Sequence, residues 1–338
     1  MNSPTTCSPA EAAQLATTLL GRTIARASPV GGGGNNRLFR VEEADGTCAA
    51  LKFYPPQTED PRDRLGQEFA FLQFLNRQGV AGVPTALVRD RERHVALYSW
   101  VDGQVIHDAD AAAVDAMLGF LEQLHLWRHA PGAQRLAMAS DHCFSARDLV
   151  SQLSRRLARC WEVAEGEPTL HAFLESEFTS VSRPVLLRLR DQIGHAHPLP
   201  EPARTLSPSD FGLHNALRQE NGAVVFLDFE YAGWDDPVKL VADVLWHPGV
   251  ALGESLGTRF LDGARVLYDS GGVWGFDRRL TSLLPVFGLV WCLILLNEFL
   301  PERWQRRLLA GEQRSRDAVL RQQLQRARAY LGRVVAIA

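Results

Sequence analysis

Asp210 and Asn215 stand in the stretch SPSDFGLHNAL, and a second apolar run, VVFLDFE, follows shortly and carries Asp228. The first stretch is too apolar for a surface loop and too aperiodic for a helix. Between the two runs, Asn221-Gly222 is a hairpin signal. If the loop is those two residues, Leu217 faces Phe226 and Asn215 faces Asp228. Directly opposed residues have Cβ atoms about 4.5–5.5 Å apart. An amide oxygen and a carboxylate would then meet, both hard donors of the kind Mg²⁺ takes, with phosphates and water completing its shell. Asp210 lies within reach but outside the hairpin, as a base would. Alternatively, Asn215 and Asp228 cap strand ends and Asp210 bonds to its own loop. The joint arrangement favours a metal–phosphate site.

Upstream residues supply a matching half. Gly31 to Gly34 form a glycine-rich turn between β segments, where backbone N–H groups can approach phosphates. No Gly-Lys-Ser/Thr follows, so it is no Walker loop, and Asn36 stands where a dinucleotide fingerprint needs its third glycine. Alone, the run reads equally as a flexible loop. Lys52 lies in the apolar strand AALKFY, with small Ala50 on its face. The next helix carries Glu68 on the stripe of Leu65, Leu72 and Leu75. A carboxylate on an apolar stripe requires a cation, and Lys52 is the expected partner; otherwise Lys52 is an edge-strand lysine whose stem snorkels. A lysine held by a glutamate, after a glycine turn and before an Asp…Asn…Asp set, is the layout of a kinase-type phosphoryl-transfer site.

The elements that must position these groups follow from periodicity. Residues before about 30 read as helical and peripheral. Leu38 to Glu43 and Cys48 to Tyr54 are strand-like, joined at Asp45-Gly46. Asp60-Pro61 reads as the start of a helix that stops near Gly79. HVALYSWVDG is another strand. Helical patterns then run over Ala109–His129, Ser145–Val163, Glu175–Gly194, Gly253–Tyr268, Leu280–Leu300 and Arg314–Val334, interrupted by the hairpin. The expected division is a β-rich lobe over 1–102 and a larger, mostly helical lobe over 103–338.

Composition bounds the function. The chain's 338 residues carry 36 basic and 39 acidic side chains, so no whole-chain basic footprint for nucleic acid exists. The five cysteines are far apart, which reads as free thiols in a reducing compartment. MNSPTTCSPA has neither the basic nor the apolar region of a signal peptide. The most apolar segment, Leu283 to Leu296, reads as too short to span a bilayer and as a buried helix. A cytoplasmic enzyme without nucleic-acid or membrane partners is the expectation.

From Gly33 to about Asp243 the sequence resembles the aminoglycoside phosphotransferase and choline kinase superfamily, small-molecule kinases of protein-kinase-like fold. GGGGNNRLFRV is similar to the family's nucleotide loop, LKFY with the Glu68 helix to its lysine–glutamate pair, and LYSWVDG to its hinge. FLEQLH is similar to its Leu-x-x-Leu-His helix, SDFGLHNAL to its catalytic loop, and VVFLDFEYAGWDDP to its metal-binding strand and acidic turn. The resemblance implies an α+β, two-lobed fold and an ATP-dependent phosphotransferase. Gly33, Gly34, Asn36, Lys52 and Glu68 then serve the phosphates, Ser99 and Val101 meet the adenine, and Asn215 and Asp228 hold Mg²⁺. Asp210 accepts the proton of an acceptor hydroxyl. Two departures stand out: Pro208-Ser209-Asp210 replaces the usual His-Gly-Asp, and Leu240 sits where an aspartate is common, with Asp243 nearby. DFEYAGW looks more like choline and ethanolamine kinases, and DDP more like aminoglycoside and sugar kinases.

Glu230, Trp234, Asp235 and Asp236, with Tyr231, suit a cationic or sugar-like acceptor through charge pairing and ring contact; equally, these acids cap the next helix. His125 reads as a core histidine, and His214 as a structural neighbour of the catalytic loop. Two other classes compete. A pseudokinase would hold nucleotide without transfer, which the intact residue set disfavours. A metal-dependent hydrolase would use Asp210 and Asp228 but leaves Lys52, Glu68 and the glycine turn without a role.

Overall fold

The computed structural model describes residues 7–31, 37–57, 62–193, 198–250, 252–269, 275–309 and 313–338. In chain order the elements are α1 (Pro9–Leu20), β1 (Ile24–Val30), β2 (Arg37–Glu43), β3 (Cys48–Phe53), α2 (Arg64–Arg77), β4 (Ala86–Asp90), β5 (Val95–Ser99), β6 (Gln104–Val105) and α3 (Ala111–Trp127). There follow α4 (Ala146–Ala164), α5 (Pro168–Ala172), α6 (Thr179–Ile193), β7 (Thr205–Ser207), β8 (Ala216–Arg218), β9 (Val224–Phe226) and β10 (Gly233–Asp235). The last are α7 (Pro237–Trp246), α8 (Glu254–Tyr268), α9 (Phe276–Leu295), α10 (Pro301–Leu309) and α11 (Arg316–Ile337). The fold is α+β: an antiparallel sheet first, then mostly helix.

Two compact units form. The first comprises Met1–Ser140, Thr205–Trp234 and Gly249–Phe260; the second comprises Asp141–Arg204, Asp235–Pro248 and Leu261–Ala338. The first unit thus takes in the expected β-rich lobe together with α3 and the β8–β9 hairpin.

In the first unit, five antiparallel strands run in the order β1-β2-β3-β5-β4. β1 extends the sheet upstream of residue 30, where the sequence reads as helical only; α1 ends at Gly21 in the left-handed conformation and the strand begins three residues later. Pleating sorts β3 between two faces. Ala49, Leu51 and Phe53 join Phe39, Val41, Val95 and Leu97 in the core that α1 covers through Ala12 and Ala16. Ala50 and Lys52 therefore point to the opposite face, where Phe69 of α2 packs against Tyr98. The helix carrying Glu68 starts later than expected. Asp63, not Asp60, is the N-cap, its carboxylate accepting the Gly66 N–H at 2.9 Å; Asp60 lies outside the described residues. A Cβ at Gly66 would meet that carboxylate at 2.1 Å, so any other residue there would have to displace the cap.

The second unit is built round α9, against which α4, α6, α7 and α11 pack. With the short 3₁₀ turn that continues it, this helix runs from Phe276 to Phe299, 24 residues. By length and composition that is enough to cross a bilayer, so the expectation of a too-short segment is corrected: the helix begins before Leu280 and tolerates Pro285. Burial accounts for its apolarity, 72% of its most apolar stretch being buried.

Candidate active site

The β8–β9 hairpin is present, but one residue out of the expected register. Ala216 pairs with Phe226 and Leu217 with Val225. The loop holds three residues, closed by Gln219 N–H to Ala223 O at 2.8 Å, with Gly222 at φ 85°. A left-handed glycine after a tight turn is a bulge, and the extra residue shifts every downstream pair by one. Asn215 consequently faces Leu227, whose N–H donates to the Asn215 carbonyl at 2.8 Å. Nor does strand alternation extend to Asp228, because it adopts φ 63°, outside the strand. Asn215 likewise ends a 3₁₀ turn, Leu213–Asn215, rather than lying in β8. The expected cross-strand opposition of Asn215 and Asp228 is therefore wrong as geometry.

Aromatic rings hold these polar residues in place. Phe120 of α3 stacks on Phe226 at 4.8 Å and on Phe211 at 5.9 Å, and Phe211 lies 5.0 Å from Phe226. Phe229 stacks on Phe71 of α2 at 5.6 Å. Asp210 and Asp228 each sit one residue before a ring buried in this cluster. That is why the segment is so apolar: it is a floor for polar groups rather than a loop.

Lys52 is the centre of charge. Its Nζ lies 2.7 Å from Glu68 Oε2, 2.7 Å from Asp228 Oδ1 and 3.9 Å from Glu230. Burial works against the ammonium, but Glu68, Asp228 and Glu230 outweigh it and raise Lys52 above its ordinary value. Glu68 Oε2 also accepts the Tyr54 hydroxyl at 2.6 Å, and Tyr54 and Tyr98 share a hydrogen bond of 2.7 Å. Burial raises both phenols, so they remain neutral donors. Glu68 Oε1 accepts the Phe229 N–H at 3.2 Å. Along α2, Arg64, Gln67, Glu68 and Phe71 share one face, and all four meet the segment after Asp228. Arg64 reaches Glu230 at 2.7 Å, and Gln67 donates to the Ala232 carbonyl at 2.7 Å.

Asp210 is partly exposed, and His214 Nε2 lies 3.2 Å from its Oδ1. An Nε2–H tautomer donates to that carboxylate, an orienting contact that the His-to-Asp spacing of four residues signals. Asn215 Nδ2 donates to the Asp210 carbonyl at 2.9 Å. This fixes the amide so that its oxygen is the atom left for a ligand. Asp228 spends one carboxylate oxygen on Lys52 and keeps the other, its side chain being 37% exposed. Both are oxygen donors of the type that magnesium takes, one neutral and one charged. The group of Glu68, Asp228 and Glu230 also converges closely enough for a cation, but Lys52 occupies it. Immediately before Asp210, Ser209 adopts φ 69°.

The acids expected to face the acceptor do not. Glu230 is 2% exposed and paired with Arg64. Asp235 is fully buried, accepting the Cys143 N–H at 2.9 Å and lying 3.1 Å from Lys239 Nζ. Asp236 caps α7 through the Val238 N–H and pairs with Arg279. Trp234 donates its indole N–H to the Ala133 carbonyl at 2.9 Å. The capping alternative accounts for Asp236, and buried pairing for the other two acids. Asp243 takes the Lys239 ammonium and the Trp291 indole N–H, both at 2.8 Å, while Leu240 is core. His125 is half-buried rather than core, 3.3 Å from Thr205 Oγ1; burial, then Arg128 and His129, lower it to about 4. Gly33, Gly34 and Asn36 lie outside the described residues. Ser99 accepts the Thr85 N–H through its hydroxyl at 2.8 Å, and Val101 is half-buried in the strand-to-β6 connection. A cleft of about 900 Å³ beside that connection, lined by Asp102, Val105, His107, Arg218 and Glu220 among others, includes none of Lys52, Glu68, Asp210, Asn215 or Asp228.

Among solved structures, the fold is similar to that of a spectinomycin phosphotransferase determined with ADP and spectinomycin, at 12% identity over 97% of this chain and 98% of that one, TM-score 0.62. It is similar to a choline kinase of Streptococcus pneumoniae, at 15% identity over 95% and 97%, TM-score 0.57. A putative fructosamine-3-kinase of Thermobifida fusca shows 19% identity over 91% and 98%, TM-score 0.54. No curated protein matches the sequence. Residues 26–280 match the profile of the phosphotransferase enzyme family, abbreviated APH. Every strand and helix that supplies a residue to the Lys52–Asp228 constellation falls inside that stretch, and the chain belongs to the phosphotransferase enzyme family.

Proposed function

We propose that the chain is an ATP-dependent kinase that transfers the γ-phosphate to a hydroxyl of a small molecule. The observation that carries this reading is the Lys52 ammonium held 2.7 Å from both Glu68 and Asp228. Such a cation has no structural need to stand beside a half-exposed carboxylate, and a role in taking the α- and β-phosphates accounts for it. Residues 1–102 act as the nucleotide-binding part, with Gly33, Gly34 and Asn36 serving the phosphates and Ser99 to Val101 the adenine. Asn215 and Asp228 hold Mg²⁺ through the two oxygens their other contacts leave open. Bound there, Mg²⁺ supplies charge neutralisation for the phosphates. Asp210, oriented by His214, accepts the proton of the acceptor hydroxyl and aligns its oxygen. Catalysis of this kind is positioning and electrostatics throughout.

The acceptor is a small hydroxylated molecule of the range that the similar kinases span, from spectinomycin to choline. With Glu230, Asp235 and Asp236 buried, acidity after Asp228 no longer favours a polycationic acceptor over a neutral one. The test is ADP release with Mg²⁺ and ATP across aminoglycosides, amino sugars, neutral sugars, choline and ethanolamine, beside calorimetric titration with Mg·AMP-PNP. Stimulation by one hydroxylated compound supports the reading. Failure to bind Mg·AMP-PNP overturns it, and nucleotide binding with no stimulated turnover removes the transfer step.

A further inference from the structure

Three carboxylates converge on Lys52, and Arg64 stands beside one of them. Glu68 and Asp228 each stand 2.7 Å from Nζ, and Glu230 3.9 Å away. Glu230 has a second cation, since Arg64 Nη1 lies 2.7 Å from its Oε1. Arg64 is unusual in its own right. It is the first residue of α2, where a long cation normally reaches into water, yet its side chain is 4% exposed. Its guanidinium also lies 5.1 Å from the Tyr231 ring centroid. Burying a guanidinium is costly unless a carboxylate offsets it.

We infer that Arg64 is a positioning residue for Lys52, taking up the charge of Glu230 so that the ammonium stays between Glu68 and Asp228, where nucleotide phosphates can reach it. The inference rests on the kinase reading above. The physical ground is competition for one cation. Glu230 is 3% exposed at its side chain and Asp228 is 37% exposed, so the field of Glu230 is much less screened. Take away the guanidinium 2.7 Å from Glu230, and the ammonium 3.9 Å away is drawn inward, off Asp228 and away from the phosphates. Arg64 and Glu68 lie one helical turn apart, so the same face of α2 supplies the carboxylate that holds Lys52 and the cation that prevents its capture. A lysine at the start of α2 keeps the charge, whereas an apolar side chain of similar length does not.

The test uses the full chain, with calorimetric titration of Mg·AMP-PNP and thermal melting to establish that each variant is folded. Arg64→Met is expected to weaken binding by at least about tenfold, and Arg64→Lys by less than about threefold. Adding Glu230→Gln to Arg64→Met is expected to recover most of the loss, because the competing charge is gone. Glu230→Gln alone is expected to bind within about threefold of the parent chain. That single variant is near-isosteric, so it still tests the inference if Arg64→Met does not fold. Arg64→Met binding like the parent chain overturns the inference. So does a double variant as weak as Arg64→Met, which would make Arg64 an anchor of α2 only, and so does a loss of about tenfold or more in Glu230→Gln. If the parent chain itself does not bind Mg·AMP-PNP, the kinase reading fails first, and that result is distinct from all three.

Discussion

Ser209→Gly is predicted to stabilise the protein. Ser209 holds φ 69°, a left-handed conformation that a side chain disfavours by roughly 1–2 kcal/mol and that glycine adopts freely. Glycine returns part of that gain, because its unfolded chain is more disordered, by about 0.5–1 kcal/mol. The net expectation is a gain of about 0.5–1 kcal/mol. No contact that shapes the turn is lost. The Ser209 N–H donates to Ser207 Oγ at 3.0 Å, and its carbonyl accepts the Phe211 N–H at 2.9 Å, both through backbone atoms that glycine keeps. Ser209→Ala is the control: it removes the same hydroxyl but retains the strained backbone, so its stability is expected within about 0.5 kcal/mol of the parent chain. Urea unfolding followed by tryptophan fluorescence reads both. Mg·AMP-PNP affinity should be unchanged in the glycine variant, since Asp210 is outside the proposed metal pair. A midpoint for Ser209→Gly at or below that of Ser209→Ala would refute the claim that backbone strain is stored before Asp210.

Lys52→Met should lose at least about tenfold in Mg·AMP-PNP affinity by calorimetry, because two carboxylates are left without their shared cation. Asp210→Asn should bind Mg·AMP-PNP within about threefold of the parent chain while turnover with an active acceptor falls by about 100-fold or more; equal losses in both would make Asp210 a metal ligand. Gly233→Ala should cost more than about 2 kcal/mol in urea unfolding, since its Cβ would stand 2.3 Å from the Ala137 carbonyl oxygen. The His125 imidazole, lowered from 6.5 to about 4 by burial, binds its proton less readily folded than unfolded. Its contribution is therefore complete above pH 6.5 and shrinks as pH falls toward about 4; His125→Gln should flatten the stability–pH curve across that window.

Lys52 and Glu68 could be paired from sequence because each breaks a strong local pattern, a cation in an apolar strand and a carboxylate on an apolar stripe. Both hairpins were legible from Asp45-Gly46 and Asn221-Gly222, but their registers were not. Gly46 and Gly222 take left-handed φ of 88° and 85° at the ends of three-residue loops, and only backbone geometry distinguishes these from two-residue turns. The surroundings of the acids after Asp228 are hidden from the sequence for a different reason. Sequence shows a charge but not its burial, and two of the three acids have their cations far off in the chain: Arg64 for Glu230, Arg279 for Asp236. β1 and β4 are faint in the sequence because IARASPV and ALVRD alternate weakly and carry proline or charge where an interior strand would not. Asp63 took the capping role expected of Asp60 because Gly66, three residues on, leaves room for its carboxylate.

The burial of α9 has a consequence for biosynthesis. Its apolar surface is covered from several sides, and one cover, α11, consists of residues 316–337, which leave the ribosome after α9 and after α4, α6 and α7. Until then a segment apolar enough for a bilayer waits with one flank bare, at the stage when nascent chains are most open to aggregation or membrane capture. A message truncated before residue 316 should therefore yield an insoluble or membrane-associated product, although every residue from Lys52 to Asp228 has already been made.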